Sequence, residues 1–566
     1  MRHLNVLLIV FLTGCVAPAA YITEADKVGY AIIAEKRAET GLDQSFTIAS
    51  AEEQLRHRLL GEQQLVTAAT PEVAGDDTPI SQFRLNSDPF QLSLDDALQV
   101  AAQNSHTYQT NKETIFRQAL ALDLERDGFR STFSGLLSSL WSSDKGLGGR
   151  RNGLHNTAQT GVVRQFKSGA SFITSIGLDL VQLLTANRVS ARGLVADASI
   201  SIPLLRGAGA EVVTEPLQQG ERNVLYAMWM FERYRRSFAV QVASEYLLAL
   251  ERMNRVDTAY DNYQRLVVAR KRAKRLADAG RLPGIQVDQA LQDELRARVS
   301  WVSAQQKSAE SLDGFKLTLG LPTDARLELD RQILSTPVKS LADSVHELVE
   351  PPSSLLQLAL ASRRDLRIEH SRVADSQRKI RLAEDALRAD VTLLGKASDG
   401  AHRRVSWVER ENVKLNPDNG DYSALLSIDL PFERTAERNA LRNRLIDFAA
   451  SQRAQQQLED LIKYQVRSAW RGRLEAFELI QIQQQALRVA KRRVMSTDLF
   501  LQAGRIQIRD LLEAQDDLVS AENSLLEAQV QYRIRAMELM RDVGSLEIDA
   551  TSDWLEDVNE YAELAQ

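Results

Sequence analysis

The chain has 566 residues, with 70 Lys and Arg against 76 Asp and Glu, so its formal net charge is only −6. No basic tract with interleaved aromatics is present, which argues against a nucleic-acid binder. The charged fraction is 26% with 13 prolines and 28 glycines, and the abundance of Ala, Leu, Gln, Arg and Glu suits long helices better than a sheet protein.

The chain opens with MRHLNVLLIVFLTGCVAPAA, a basic start followed by an apolar run from Leu4 to Leu12. That run is shorter than the roughly 20 apolar residues a transmembrane helix needs, so residues 1–14 read as a signal peptide. Leu12-Thr13-Gly14-Cys15 resembles a bacterial lipobox, which makes Cys15 the site of a covalent lipid, and Val16 rather than Asp after it favours the outer membrane. With this single cysteine acylated, none is left for disulfides, thiolate catalysis or Cys-based metal sites. No internal run is long and apolar enough for a membrane helix, so any further span must be made of strands closed into a barrel.

Residues 15–91 read as a lipidated extension and connector, with a short amphipathic helix over Ala25 to Gly41 and an irregular stretch over Thr67 to Asp88. Two repeats follow, over 92–335 and 336–548. LDDALQVAAQNSHTY (94–108) is echoed by LLQLALASRRDL (355–366), and a strand ending at Pro203 by one ending at Pro431. LADAGRLPGIQVDQA (276–290) is echoed by FLQAGRIQIRDLLEAQ (500–515). Each repeat reads as short helix, strand, turn, strand, long helix, tight turn, short helix. The long helices are expected over Thr214 to Ala279 and Arg434 to Gln502, each about 100 Å at about 1.5 Å per residue. The short ones are expected over Asp95 to Arg130 and Gln286 to Leu319. The first half is longer between its opening helix and its proline, where an extra loop is expected.

Two stripes predict helices packed side by side. Val242, Tyr246, Ala249, Met253, Val256, Tyr260, Tyr263 and Val267 keep coiled-coil spacing, as do Leu511, Ala514, Leu518, Ala521, Leu525, Ala528 and Tyr532. The strands before the prolines alternate with period two. Leu194, Ala196, Ala198, Ile200 and Ile202 oppose Asp197, Ser199 and Ser201, and Tyr422, Ala424, Leu426, Ile428 and Leu430 oppose Ser423, Ser427 and Asp429.

The duplicated plan, IPLLRGAG and IDLPFERTAERN after the strands, LGLPTDARLEL (319–329), and the AGR turns with DLLEAQ behind the second resemble the TolC-type outer-membrane efflux protein family over about residues 92–546. The resemblance implies a mainly α fold with a small β part. A long α-helical coiled-coil tunnel lies in the periplasm, and two β-hairpins per chain contribute to a trimeric 12-stranded outer-membrane β-barrel. It implies a passive duct of a tripartite efflux or type I secretion system, working as a homotrimer with a periplasmic adaptor and an inner-membrane pump. Pro203 and Pro431 then mark the strand-to-helix junctions, since proline fits a strand end and a first helical turn but the interior of neither. The turns Ala279-Gly280-Arg281 and Ala503-Gly504-Arg505 match the family's adaptor-docking tips, although Leu282-Pro283-Gly284 lengthens the first. Asp510 and Glu513 match the family's carboxylate ring at the periplasmic gate; the plainer account is an acidic helix N-terminus, and Arg509 is placed to neutralise the pair.

The alternative is a lipid-anchored periplasmic coiled-coil scaffold whose strands form a soluble sheet. Catalysis is not expected: seven scattered histidines form no HExxH, and neither GxSxG nor a Walker A motif occurs. No metal and no cofactor beyond the lipid on Cys15 are implied. Residues 549–566 read as an acidic tail, and the cargo is not written in the sequence.

Overall fold

The computed structural model describes residues 17–40, 46–48, 59, 89–146, 149–184, 190–335, 351–400, 415–430 and 432–546. Cys15, Pro431, the connector over 67–88 and the tail over 549–566 lie outside the described residues. Contacts divide the chain into two units, one of Met1–Gln44, Ile115–Met228 and Ile368–Gln455, the other of Ser45–Thr114, Trp229–Arg367 and Gln456–Gln566.

In chain order the elements are α1 (Pro18–Thr40), β1 (Phe90–Leu92), α2 (Leu94–Asn104), α3 (His106–Asp127), β2 (Ser131–Gly146), β3 (Gly149–Gln165), β4 (Ser171–Leu183), β5 (Ser190–Pro203), α4 (Ala210–Val213), α5 (Glu215–Asp278) and α6 (Gly284–Thr318). There follow β6 (Leu327–Leu329), α7 (Gln332–Ser335), α8 (Ser353–Ser362), α9 (Arg364–Asp385), β7 (Asp390–Gly400), β8 (Asp421–Asp429), α10 (Thr435–Gln502) and α11 (Ile508–Val543). The long helices α5 and α10, of 64 and 68 residues, fall within a residue of their expected limits at both ends. None of the described helices is long and apolar enough to cross a membrane.

The first unit holds one antiparallel sheet in the order β2-β3-β4-β5-β7-β8. A mainly helical chain with a small β part is thus observed, and the second half supplies the expected hairpin. The first half supplies four strands where two were expected, so its extra length is paired sheet and not loop. The helix read over Ala25 to Gly41 begins earlier, as α1, and packs Tyr30 against Phe116 of α3 with ring centroids 5.2 Å apart.

Among the described residues the second unit is helical, apart from the parallel pair β1·β6. The expected opening helix is broken by one residue, Ser105 (φ −70°, ψ 121°), and its counterpart by Arg363 (φ −70°, ψ 118°). Ser93 caps α2 through a reciprocal capping box with Asp96, satisfying backbone donors the first turn cannot pair. The main core joins α2, α5, α6 and α11 through residues such as Val100, Tyr246, Leu250, Phe315 and Met537. Each large side chain buried there contributes about 1.5–3 kcal/mol.

Tyr246 sits inside that core with its hydroxyl donating to the carbonyls of Leu92 at 3.1 Å and Asp330 at 2.9 Å. It thereby ties the helix to the ends of β1 and β6. Burial pushes its phenol pKa up, so it acts as a donor at any physiological pH. Tyr246→Phe is expected to cost about 1 kcal/mol, read as a lower denaturant midpoint of the detergent-extracted protein.

The α11 stripe is buried or half-buried throughout. The α5 stripe holds at Val242, Tyr246 and Ala249, then slips by one position to Ala259, Asn262, Leu266, Ala269 and Ala273. The slip leaves Tyr260 partly exposed against Trp301, 5.1 Å away, with Tyr263 stacked on the same ring at 5.9 Å. A strict heptad drifts relative to a 3.6-residue helix, and a straight helix pays for that by changing which positions face the neighbour.

Candidate functional site

The residues expected to act fall in two places: an apolar sheet face in the first unit and a pair of helix tips in the second.

The strand registers place Leu194, Ala196, Ala198, Ile200 and Ile202 of β5 on one face with Phe172, Ile176 and Leu178 of β4. Through β7, Leu393 carries that face to Leu426 and its neighbours on β8. The same face continues through Leu154, Ala158 and Val162 of β3 to Phe133, Leu137 and Trp141 of β2. Much of it is bare: Phe133 is 77% exposed, Trp141 60% and Tyr422 65%. An apolar sheet face this extensive needs a cover, and lipid is one. The opposite face carries His155, Asp179, Asp197, Ser199, Lys396 and Ser398, with Ser398 donating to Asp197 at 2.6 Å and His155 3.5 Å from Asp179. Leu136 and Leu140 of β2, Val163 of β3, Ile173 of β4 and Leu425 of β8 also fall on this second face, so it is mixed and not wholly polar.

The next helix after β5, α4, begins at Ala210, and the last residue of β5 is Pro203. The turn after it is built on glycine: Gly207 (φ +72°) donates its N–H to the Asp385 carboxylate at 2.8 Å. The β3–β4 turn presses on the same place, because a Cβ on Gly169 would lie 2.6 Å from the Gly207 carbonyl and 2.9 Å from the Pro203 ring. In the second half, Arg434 donates to the carbonyl of Arg388 at 2.9 Å. The other junction residue, Pro431, lies outside the described residues.

Both tips close with one backbone motif. Gly280 (φ +70°) donates to Ala277 and Arg281 to Leu276, each at 2.8 Å. Gly504 (φ +65°) donates to Leu501 at 3.0 Å and Arg505 to Phe500 at 2.9 Å. This is the Schellman arrangement, which satisfies a helix's last carbonyls when the following residue turns left-handed. Gly320 and Gly544 end α6 and α11 in the same way, and 224 residues separate the members of each pair (280 to 504, 320 to 544). Behind the tips Leu266, Ala269, Ala273, Ala290, Leu501, Ile508, Leu511 and Leu512 form one apolar cluster. A Cβ on Gly280 or Gly504 would meet nothing within 4 Å, so the turns themselves are open to a partner. Ala503, Gly504 and Arg505 are exposed, as are Ala279, Gly280 and Arg281.

Asp510 and Glu513 have separate partners. The Asp510 carboxylate accepts the Gln507 N–H at 3.1 Å and closes the capping box of α11. Glu513 turns to Arg493 of α10 at 3.0 Å, and that guanidinium also holds Asp517. Arg493, not Arg509, is therefore the cation at Glu513. The carboxylates raise the Arg493 pKa above its ordinary value, Glu513 leading. In the first tip Arg270 pairs likewise with Glu294, and Arg272 reaches Asp498 at 2.8 Å. A sequence signal for these pairs existed. In an antiparallel helical hairpin, residues about equally far before and after the turn face one another, and Arg493 and Glu513 flank Gly504 in that way.

An amphipathic antiparallel sheet with an exposed apolar face, in a chain whose long helices end in twinned hairpin tips, is a fold that solved structures share. The chain is similar to the outer-membrane channel OprN (15% identity, TM-score 0.60, covering 80% of this chain and 89% of that one). It is similar also to the Campylobacter jejuni CmeC outer membrane channel (11%, 0.58, 88% and 98%) and to the open state of the Neisseria gonorrhoeae MtrE outer membrane channel (15%, 0.56, 86% and 99%). Residues 355–545 match the family described as outer membrane efflux protein. Comparison with curated protein sequences returns no match. The chain has the fold of the TolC-type outer-membrane efflux channels, and its second half carries their family domain.

Proposed function

We propose that this protein is the outer-membrane duct of a tripartite export system: a passive conduit, not an enzyme, that assembles as a homotrimer and docks to a periplasmic adaptor and an inner-membrane pump. The observation that carries the proposal is the sheet, one face mainly apolar and bare, the other mixed, carrying Asp, Lys, Ser and His beside a few leucines, Val163 and Ile173. Lipid outside and water inside is the environment such a sheet requires. The twinned tips supply matching open turns for an adaptor, one from each of the repeats 92–335 and 336–548. The α11 N-terminus supplies the gate: Asp510 and Glu513, repeated by threefold symmetry, form a ring of carboxylates that favours cations, with Arg493 setting how far Glu513 turns inward. The helical part lies in the periplasm.

Imaging of the detergent-extracted protein tests the proposal directly. A threefold tapered cylinder is the expected particle, and thin rods or monomers without a ring would sink it. The lipid on Cys15 is a separate part of the same proposal. Cys15→Ser is expected to abolish labelling by a fatty-acid probe while the sheet keeps the protein in the outer-membrane fraction. Release of the variant into the soluble periplasm would mean that the lipid alone held it there.

A further inference from the structure

The first half carries one hairpin more than the second. Landmarks of equal backbone geometry measure the surplus: the helix breaks at Ser105 and Arg363, and the tip glycines Gly280 and Gly504. Between them the first half is 34 residues longer (105 to 280 against 363 to 504). The hairpin β2–β3, over 131–165, takes up that length almost to the residue.

This hairpin is continuous with the sheet. β3 pairs with β4 from Gly153↔Leu183 to Gln165↔Ser171, and Phe133, Leu137 and Trp141 extend the apolar face without a change of side. The surplus hairpin is therefore wall, in register with the strands that face lipid. The two ends of the sheet order are now β2 and β8. Among the described residues each has a row of backbone groups on one side with no strand beside it, and hydrocarbon offers such groups no partner. All pairings from β2 to β8 are antiparallel, and with six strands the two edges run in opposite directions. They have the polarity needed to pair antiparallel with each other in successive copies around a ring.

Resting on the channel reading above, we propose that β2 of one copy pairs with β8 of the next, so that three copies close an eighteen-stranded barrel, six strands from each. Barrel diameter grows roughly linearly with strand number, so this mouth is about half again as wide as twelve strands would make it. Barrels of about this strand number hold an aqueous channel. The outer-membrane section is then not the narrow point of the conduit, and the cargo class it serves is bulky and polar, in keeping with the Asp179, Asp197 and Lys396 side of the sheet.

Electron cryomicroscopy of the full chain in detergent decides it. Eighteen strands are expected in cross-section, and a variant lacking residues 131–165 is expected to close with twelve and lose about a third of the barrel diameter. The splice is short because Ser131 lies opposite Arg164. A second measurement does not depend on that variant folding. Leu426→Cys, combined in turn with Phe133→Cys, Leu137→Cys or Trp141→Cys, should give oxidised dimers and trimers in at least one pairing, whereas Leu426→Cys with Ile176→Cys should give none. Twelve strands in the full-length trimer, with β2–β3 folded into the lumen or lying outside, would overturn the inference alone, as would cross-linking through Ile176→Cys. Monomers without a ring would overturn both it and the channel reading.

Discussion

Gly320→Ala should be among the most damaging single substitutions in the helical unit. Gly320 ends α6 at φ +75°, and a Cβ there would lie 2.0 Å from the carbonyl oxygen and 2.5 Å from the carbonyl carbon of Asn104. Asn104 is 1% exposed and is fastened by its own side-chain bond to the Val100 carbonyl at 2.8 Å, so backbone, not a flexible side chain, would have to give way. The left-handed conformation alone costs about 1–2 kcal/mol for a residue with a Cβ. Displacing a packed helix end adds a further about 1–3 kcal/mol. The check is a denaturant titration of the extracted protein beside Gly504→Ala. Gly504 has the same turn, φ +65°, but open space around it, so only the about 1–2 kcal/mol of backbone strain applies. Equal losses from the two variants would show that contact with Asn104 contributes nothing.

Asp365→Ala should be comparably severe, for an electrostatic reason. Arg363, 3% exposed, breaks the α8–α9 pair and sends its guanidinium inward. Two of its nitrogens reach the Asp365 carboxylate at 3.1 and 2.6 Å, and a third reaches Gln465 at 2.6 Å. Arg233 of α5 approaches the same carboxylate at 3.1 Å. Removing the carboxylate leaves a buried cation without its counter-ion, which costs about 3–5 kcal/mol. Burial opposes the charge on Asp365, yet the Arg363 hydrogen bonds and the two guanidiniums outweigh it and hold the carboxyl below its ordinary 3.8. A carboxyl depressed on folding stabilises the fold fully above its unfolded pKa, and that contribution is lost as pH falls through the folded value. Wild type should therefore lose stability below about pH 4 through this site. Asp365→Ala, already without the contribution, should show a shallower acid loss in the same window.

Much of this protein was legible without coordinates where the physics is local. Helix limits follow from periodicity and from glycines that permit a left-handed turn, so α5 and α10 came within a residue of their expected ends. The strands β5 and β8 alternate, and their registers place the two sets of residues on opposite faces, with Leu425 the apolar exception on the polar side of β8. The site residues divide along the same line. Asp510 sits at the third position of a helix, where an acid caps regardless of fold, and it does so here. Glu513 turns toward Arg493, 20 residues away in sequence and on another helix, so its charge balance belongs to the hairpin and not to the segment.

By itself, then, the sequence determined the duplicated plan with a hairpin in each half, the long-helix lengths, the turn glycines and, residue by residue, two of the six strands. The surplus hairpin was decided only by pairing. SGLLSSLWSS in β2 places apolar residues side by side, and GRRNGLHNTAQTG in β3 is largely polar, so neither shows the period of a strand. They become strands because β4 offers β3 an open row of backbone donors and acceptors, and β3 offers one to β2. Hydrogen bonds between segments carry no local pattern. The slipped stripe of α5 was decided the same way, by which neighbour each turn meets along a helix whose 3.6-residue period does not match a seven-residue repeat.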